Sequence, residues 1–310
     1  MLDVEIIGIG KYLPKEVISM NNQTRYRTTK GETQLTMALN AIEKAFEDAN
    51  MTIDDIDCIV SSCAVGTQPI PCTAALIHEQ IAKGKEIPAI DINTTCTSFV
   101  TALDIVSHMI EAGKYKNVLI FASENASVGI NPNQKESFEL FSDGAAAVIL
   151  GKSRNPNSGM IYGVQKTWSE GAHYTEIRGG LTNIHPRNYS EDTKDDYLFD
   201  MNGRRVLLLA AKKLPAMFKD FLENSKISID DVNMVVPHQA SAALGLVMEK
   251  LGINQDKYVD YVKEYGNMVS ASIPVALCRA IEDGKIKKGD TIVLFGTAAG
   301  LTANMLALRY

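Results

Sequence analysis

The amino-acid sequence predicts an α/β fold made of two similar halves, and three observations lead to this prediction. Short apolar runs alternate with amphipathic helical patterns, which is typical of buried strands covered by helices. A segment of the first half that enters a strand has a close match in the second half. Each half also contains an apolar helix that follows a small polar turn and ends in a charged, glycine-containing turn.

The first half has the clearest alternation of elements. Apolar runs predict strands at residues 4–9, 56–61, 89–92, 118–122 and 145–150. A helix is predicted at residues 35–50, because Leu35, Leu39 and Ile42 recur with helical spacing on one face. Similar apolar runs before His238 and at residues 291–295 predict strands in the second half.

The second half repeats features of the first in the same order. Residues 53–60, IDDIDCIV, resemble residues 229–236, IDDVNMVV. The separation of Cys96 from Gly113 equals that of Asn267 from Gly284, and a predicted strand follows each glycine. Single α/β units resemble one another by default, but two matches in the same order favour an internal duplication.

The Asn-Pro-Asn-Ser loop that ends at Ser158 predicts a boundary between the halves. We therefore expect one domain at residues 1–155 and a second at residues 156–310. Residues 188–196 are polar and acidic, which predicts an exposed excursion in the second half.

The composition is that of an ordinary globular protein. The 310 residues are 45% hydrophobic and 22% charged, and the formal net charge of −6 predicts no general attraction to nucleic acid or to an anionic membrane. No segment reaches the roughly 18 apolar residues of a membrane-spanning helix, and no secretory signal is visible. Five scattered cysteines predict a reduced, cytoplasmic protein. Cys58 and Cys63 lack a second nearby Cys/His pair, which disfavours a zinc site.

Cys96 is the first candidate functional residue. It lies in the small polar segment at residues 94–98, TTCTS, between a predicted strand and an apolar helix. The first residues of a helix present unpaired N–H groups and the positive end of the helix dipole. A cysteine there is expected to have a lowered pKa and to act as a nucleophile at neutral pH. The alternative is a free cysteine that only packs in the core.

His238 and Asn267 are the other two candidates. His238 follows an apolar strand, at the end of a sheet where ligands and catalytic groups gather, although a histidine in a structural turn is the alternative. Asn267 follows Tyr265-Gly266, where a plain turn or a helix N-cap is the alternative. The duplication would put Cys96 and Asn267 at equivalent helix N-termini that face one central cavity.

At these residues the sequence resembles the ketoacyl-acyl-carrier-protein synthase III family. The matching segments are residues 8–14 (GIGKYLP), 91–99 around Cys96, 141–147 (FSDGAAA), 236–240 (VPHQA) and 265–267 (YGN). They span almost the whole chain in family order. The resemblance implies a thiolase-like fold, in which two αβα halves related by a pseudo-twofold axis form five αβαβα layers.

The resemblance also implies a decarboxylating condensation without a metal or redox cofactor, in which coenzyme A thioesters are substrates. Cys96 would accept an acyl group from acyl-coenzyme A. His238 and Asn267 would donate hydrogen bonds to the thioester oxygen of malonyl-acyl carrier protein, so that loss of carbon dioxide leaves a stabilised carbanion that attacks acyl-Cys96. The backbone N–H groups of Cys96 and Ala299 would form the oxyanion hole.

Substrate contacts and partners follow from the same resemblance. The implied substrate-binding residues are Ile70, Gly203, Gln239, Ala240 and Ser241. Ile70 has the position of a gate to the acyl pocket that is often aromatic, so a smaller side chain would admit a longer or branched acyl chain. The chain would form a homodimer with the Ile70 region near the partner's pocket, and acyl carrier protein would be its protein partner.

Three departures from the family pattern affect the substrate assignment. The segment after Leu13 is short and lacks the tryptophan and the Arg-Thr-Gly-Ile-type motif that hold coenzyme A in typical members. Only residues 24–28, TRYRT, remain, where Tyr26 would stack on a base and the arginines would meet phosphate. Ala243 replaces an arginine thought to help dock the acidic carrier protein. The last glycine-rich loop reads Ala298-Ala299-Gly300.

Two other functions stay open at this point. Cys96 could transfer its acyl group to an alcohol or amine without condensation, which the altered front segment would allow. A non-catalytic partner subunit is the third reading, although such a subunit has no physical reason to keep all three of Cys96, His238 and Asn267. The sequence does not separate fatty-acid initiation from a specialised polyketide or secondary pathway.

Overall fold

The computed structural model describes all residues, 1–310, and consists of strands and helices that alternate along the chain. The strands are β1 (Val4–Tyr12), β2 (Glu16–Met20), β3 (Gln23–Arg27), β4 (Cys58–Ser61), β5 (Ala89–Asp91), β6 (Asn117–Glu124), β7 (Gly144–Lys152), β8 (Gly159–Thr167), β9 (Thr175–Glu176), β10 (Asp200–Met201), β11 (Met234–Pro237), β12 (Thr291–Ala298) and β13 (Thr302–Arg309). The helices are α1 (Gln34–Ala49), α2 (Thr73–Ile81), α3 (Ser98–Glu111), α4 (Lys135–Leu140), α5 (Gly203–Ser225), α6 (Leu244–Lys250), α7 (Val262–Tyr265) and α8 (Ser272–Glu282).

The first half builds a five-stranded mixed sheet in the order β1-β7-β6-β4-β5. Strands β5, β4 and β6 run parallel, whereas β7 is antiparallel to both β6 and β1. Helix α1 begins after a capping box between Thr33 and Thr36 and packs closely on β1. Glycine is needed at this contact, because a Cβ at Gly8 would lie 2.6 Å from the Cβ of Ala49.

The second half builds a four-stranded sheet in the order β11-β12-β13-β8, with β11 and β12 parallel and the other pairs antiparallel. An isolated parallel bridge between Val235 and Tyr258 lies where β5 lies in the first sheet. The two sheets therefore share one strand order, in which β1, β7, β6 and β4 correspond to β8, β13, β12 and β11.

The helices and sheets form five layers. Helices α3 and α8 lie between the two sheets, because Phe99 of α3 and Ile273 of α8 share one apolar core with Ile120 of the first sheet and Leu294 of the second. Helices α1 and α2 cover the outer face of the first sheet, and α5 and α6 cover the outer face of the second. The predicted αβαβα thiolase-like fold is thereby confirmed.

The chain passes from the first sheet to the second between Lys152 and Gly159. The division into domains at residues 1–155 and 156–310 stays a prediction, and this connection is compatible with it. Residues 188–196 are mostly exposed, and Arg178 forms ion pairs with Asp196, the last residue of this excursion, and with Asp200 beyond it.

The short segment after Leu13 forms a hairpin of β2 and β3 that the sequence did not predict. Its turn consists of Asn21 and Asn22, both in the left-handed region with φ of 51° and 59°, which asparagine tolerates better than most residues. No helix of the structure is long and apolar enough to cross a bilayer.

Candidate active site

Two turns of matching geometry lie at the centre of the molecule, one before α3 and one before α8. In the first turn, residues 93–98, the N–H of Thr95 donates to Asn93 Oδ1 at 2.8 Å. In the second turn, residues 267–272, the N–H of Val269 donates to Asn267 Oδ1 at 2.8 Å. Thr95 and Val269 are both β-branched residues with positive φ, 54° and 50°, an uncommon and strained conformation.

These matches correct the predicted alignment of the two halves. The sequence paired Cys96 with Asn267, but the structure pairs Asn93 with Asn267 and Cys96 with Ser270. The serine that follows each turn confirms the alignment, since Ser98 and Ser272 accept the N–H of residues 94 and 268 at 2.9 and 2.8 Å. Cys96 and Asn267 do lie at corresponding helix N-termini, but at different positions of the turn.

Cys96 is partly exposed and lies on a single 3₁₀ turn ahead of α3. The backbone N–H groups of Ala299 and of Cys96 itself favour the thiolate and act to lower its pKa. Burial and the nearby charge of Glu124 outweigh them and raise the pKa of Cys96 to about 12. The predicted lowered pKa of Cys96 was therefore wrong, and the thiol is neutral at physiological pH.

His238 follows β11 directly and is 4% exposed. Its backbone N–H donates to the carbonyl of Phe295 in β12 at 2.7 Å, which fixes the residue at the sheet end. Burial lowers the pKa of His238 to about 4, so that the imidazole is neutral at physiological pH. Its Nδ1 atom is buried without a hydrogen-bond partner, which is uncommon for a buried polar atom.

Asn267 is 6% exposed, and both its main chain and its side chain form hydrogen bonds with backbone groups. Its N–H donates to the carbonyl of Leu140 and its carbonyl accepts from Ser142, both at 2.9 Å. The side-chain Nδ2 donates to Ala240 in the segment after His238 at 3.3 Å. An amide nitrogen carries two hydrogens, so one N–H of Asn267 remains free to donate.

Two glycines allow the three residues to come together. A Cβ at Gly296 in β12 would lie 3.0 Å from Thr97 and 3.1 Å from His238, so the missing side chain lets the Cys96 turn and His238 meet. Gly266 has φ of 67°, and a Cβ there would lie 2.5 Å from the carbonyl oxygen of Leu140. The conformation that presents Asn267 therefore requires glycine immediately before it.

The predicted substrate-binding residues fall into different environments. Ile70 is 85% exposed, so it cannot form the wall of a pocket within its own chain. Ala240 and Ser241 lie on the partly exposed segment beside Asn267. Gln239 points inward, where its amide binds the carbonyl of Pro237 and accepts the N–H of Tyr261 at 2.8 and 2.6 Å. Its side chain is therefore structural, contrary to the predicted substrate contact.

Gly203 lines a cavity of about 460 Å³ together with Glu136, His173, Asp200 and Arg204. Glycine fits this wall, because a Cβ at Gly203 would lie 2.9 Å from the Glu136 carboxylate. Neither Cys96 nor His238 lines the cavity.

The arginines of the front hairpin do not face an open site as predicted. Arg25 is fully buried and donates to the carbonyls of Glu139 and Val262 at 2.7 and 3.1 Å. Arg27 donates to the carbonyl of Phe141 at 2.5 Å. Burial lowers the pKa of Arg25 to about 10 without neutralising it at physiological pH. These guanidinium groups hold the segment that binds the Asn267 backbone, so their suggested contact with phosphate was wrong.

Glu124 and Ser270 are members of the site that the sequence did not single out. Glu124 ends β6, is 2% exposed, and accepts hydrogen bonds from the Ser270 hydroxyl and from the N–H of Ala64. Nothing in its local segment marks it, since it follows an apolar strand as many polar residues do. Ser270 could have been identified from the sequence if the two turns had been aligned correctly, because it is the counterpart of Cys96. No group of three His, Cys, Asp or Glu side chains is arranged to hold a metal ion.

Comparisons with known proteins agree with this geometry. Residues 90–167 match the model of the family described as 3-oxoacyl-[acyl-carrier-protein (ACP)] synthase III, and residues 222–310 match its C-terminal model. A β-ketoacyl-[acyl-carrier-protein] synthase III of Aquifex aeolicus is 31% identical, with 100% of both chains covered. One of Clostridium perfringens is 30% identical over 97% of this chain and 98% of the relative. The crystal structure of the Aquifex aeolicus enzyme aligns over 99% of this chain and 100% of that chain, with a TM-score of 0.87 and 29% identity.

Proposed function

The chain belongs to the 3-oxoacyl-[acyl-carrier-protein] synthase III family of condensing enzymes, and from this premise we propose how its own residues carry out the condensation. Cys96 is the nucleophile that becomes acylated, and His238 and Asn267 stabilise the carbanion formed by decarboxylation. The observation that carries this proposal is the position of Cys96 on the turn ahead of α3, which packs against the turn that follows Asn267.

Acylation begins when the Cys96 sulfur attacks the carbonyl of an acyl thioester. The carbonyl oxygen becomes an anion, and the N–H groups of Cys96 and Ala299 donate to it. As the tetrahedral intermediate collapses, the thiolate of the donor leaves and takes up the proton that Cys96 loses. Because Cys96 rests as a thiol, its deprotonation belongs to this step and is not completed before the donor arrives.

Condensation requires a different pair of groups. A malonyl thioester that enters the acylated site meets the neutral imidazole of His238 and the free N–H of Asn267. Both groups donate without carrying a charge, which suits an enolate oxygen that develops negative charge as carbon dioxide departs. The carbanion then attacks the acyl carbon on Cys96, and the C–S bond breaks to release the β-ketoacyl product and the Cys96 thiolate. A proton from solvent restores the Cys96 thiol.

The relatives are named β-ketoacyl-[acyl-carrier-protein] synthases, which names a β-ketoacyl group on acyl carrier protein as their product. We propose acyl-coenzyme A as the acyl donor and malonyl-acyl carrier protein as the extender. Arg25 and Arg27 are engaged within the protein, so they do not hold the phosphates of the donor. Arg204, at the start of α5 beside Gly203, is the exposed cation that we assign to the polar end of the donor.

A homodimer accounts for the exposed apolar side chains near the Cys96 turn. Val65 and Ile70 follow β4 and Val128 follows β6, and they are 57%, 85% and 74% exposed. Strands β4 and β6 are parallel neighbours, so these side chains leave the sheet at the same edge. In a dimer that buries this edge, Ile70 would reach the partner's acyl pocket and set its length.

The reaction class is tested by incubating the acylated protein with malonyl-acyl carrier protein that carries a labelled free carboxylate. Release of labelled carbon dioxide, matched by formation of a β-ketoacyl product, supports condensation. Transfer of the acyl group to an alcohol or amine without carbon dioxide release would instead support simple acyl transfer. A protein that is never acylated would favour the reading as a non-catalytic subunit.

A further inference from the structure

We propose that Glu124 is a positioning residue that controls the ionisation of Cys96, because it is a buried carboxyl between the turn that carries Cys96 and the turn that carries Asn267. The inference deepens the proposed function, since it matters only if Cys96 is the nucleophile. Glu124 does not contact the reacting atoms. It acts on Cys96 through its charge and through the segments that it joins.

The first part of the argument is the position of Glu124 in the duplicated fold. Glu124 ends β6, and Ala298 ends β12, the corresponding strand of the second half. The backbone N–H of Ala299, the residue after Ala298, favours the Cys96 thiolate, while Glu124 accepts the hydroxyl of Ser270, the counterpart of Cys96. The ends of the two corresponding strands therefore favour a negative charge on Cys96 in one half and place a carboxyl beside Ser270 in the other.

The second part is the set of hydrogen bonds that connect Glu124 to both turns. On one side, Ser270 lies in the 3₁₀ turn that follows Asn267 and packs against the Cys96 turn. On the other side, Ala64 donates its N–H to Glu124 and accepts from Asn93 Nδ2 at 2.8 Å. Asn93 in turn accepts the N–H of Thr95, the residue before Cys96.

The third part is the charge environment. No cationic side chain forms an ion pair with Glu124. The charge of Glu124 acts on the thiols of Cys63 and Cys96 and helps to raise the pKa of each, and Asp143 precedes the pairing partner of Glu124 in β7. A negative charge on Glu124 is therefore uncompensated and opposes a second negative charge on Cys96.

Burial raises the pKa of Glu124 to about 7, although four hydrogen-bond donors from Ala64, Val65 and Ser270 favour its charged form. Near neutral pH the carboxyl therefore exists in both states. When Glu124 is neutral, no carboxylate charge repels the Cys96 thiolate, and the thiol ionises more readily. When Glu124 is charged, Cys96 stays a thiol and is protected from unproductive reaction.

The test is the rate of Cys96 alkylation by iodoacetamide in the full-length protein, read by peptide mass from about pH 6 to about pH 10, a range that spans the coupled ionisation. In the wild-type protein the logarithm of the rate should rise with pH, flatten just above the pKa of Glu124 and rise again. A profile that fits one ionisation across the whole range would overturn the inference, and this measurement needs no substitution.

Substitution at Glu124 supplies the second arm. Glu124→Gln should remove the flattening and raise the alkylation rate above pH 8 by about tenfold, the effect of one pKa unit on the thiolate fraction. Glu124→Asp keeps the charge and should keep the flattening, and Ser270→Ala should keep it as well, because the carboxyl remains. Equal profiles for folded Glu124→Gln and wild-type protein would contradict the inference.

Alkylation needs no thioester, so the outcome is independent of the proposed function. A protein that shows the flattened profile but is never acylated by a thioester would overturn the proposed function and support the role of Glu124. A protein that is acylated and condenses normally, with a single-ionisation profile, would do the reverse.

Discussion

The Cys96 turn and the Asn267 turn have one backbone geometry and opposite chemical roles. In the first, the asparagine is exposed and caps the turn, and the fourth residue, Cys96, faces the N–H of Ala299. In the second, the asparagine is buried and donates to Ala240, and the fourth residue, Ser270, is hydrogen-bonded to Glu124. The duplicated fold thus provides two equivalent turns, and we infer that one has become specialised for acylation and the other for decarboxylation.

The largest difference between the two turns is expected when Cys96 and its counterpart Ser270 are replaced separately. Cys96→Ala should abolish acyl-enzyme formation and lower condensation by more than about 10⁴-fold, because no other group in the site can form the thioester. Ser270→Ala should still be acylated. Peptide mass after incubation with acyl-coenzyme A measures both variants, and acylation of Cys96→Ala at another residue would contradict the assignment.

A second test compares Gly266, which immediately precedes the Asn267 turn, with Gly113, which follows α3. Gly266→Ala should destabilise the protein by at least about 2 kcal/mol, because a side chain there is strained and crowded at once. Gly113 also has positive φ, 75°, but a Cβ there meets no atom within 4 Å, so Gly113→Ala is the matched control. Urea unfolding of both variants should show the larger loss for Gly266→Ala, and equal losses would show that crowding against Leu140 has no effect.

The buried imidazole provides a prediction about pH. The folded pKa of His238 is about 4 and its ordinary value is 6.5, so the folded state resists protonation. Stability from this group is present above pH 6.5 and is lost as the pH falls toward 4, by about 3 kcal/mol in all. Urea unfolding across this range should show a smaller acid loss for His238→Asn than for wild-type protein.

His108→Asn is the control for this measurement, because the His108 side chain is 65% exposed. It should follow the wild-type stability curve. The raised pKa of Glu124 has the opposite effect on stability, which falls as the pH rises through about 7. Both proteins contain Glu124, so this effect cancels in the difference between His238→Asn and wild-type protein. An identical acid loss in all three proteins would show that the imidazole is not desolvated.

The smallest expected effect concerns the exposed edge beside the Cys96 turn. If Ile70 sets the length of the partner's acyl pocket, Ile70→Phe should reduce kcat/KM for a long or branched acyl donor relative to acetyl-coenzyme A by about tenfold. Val128→Phe changes another exposed apolar residue at the same edge and should leave this ratio unchanged. Competition between donors measures the ratio, and equal ratios for Ile70→Phe and wild-type protein would remove Ile70 from the pocket.

The sequence predicted the strands and α1 of the first half because their apolar residues are buried in continuous or periodic runs. Cys96, His238 and Asn267 were selected from motifs that stand at element ends. The structure places the Cys96 turn and His238 around Gly296, and Asn267 against Ala240, two residues after His238. The predicted alignment of the halves was wrong because α3 has 14 residues and α8 has 11. Counting back equally from Gly113 and Gly284 aligns the C-terminal ends of these helices, and it therefore shifts the turns at their N-terminal ends by three residues.

Other features depended on contacts between distant parts of the chain. The raised pKa of Cys96 comes largely from burial and from Glu124, which no local pattern around Cys96 contains. Gln239 looked like a substrate contact because it follows His238, but its amide completes hydrogen bonds with Pro237 and Tyr261. Arg25 looked available for phosphate because it lies in a basic segment, whereas folding buries it completely.

The central claim is that the two turns serve different steps, and Asn267→Ala tests it most directly. Wild-type protein and this variant would each be acylated at Cys96 with acyl-coenzyme A and then given malonyl-acyl carrier protein, with the Cys96 peptide mass followed over time. We predict that both become acylated, but that Asn267→Ala discharges its acyl group about 10²- to 10³-fold more slowly, because one donor to the enolate is missing. Discharge at the wild-type rate, or failure of the folded variant to become acylated at all, would contradict the division of roles.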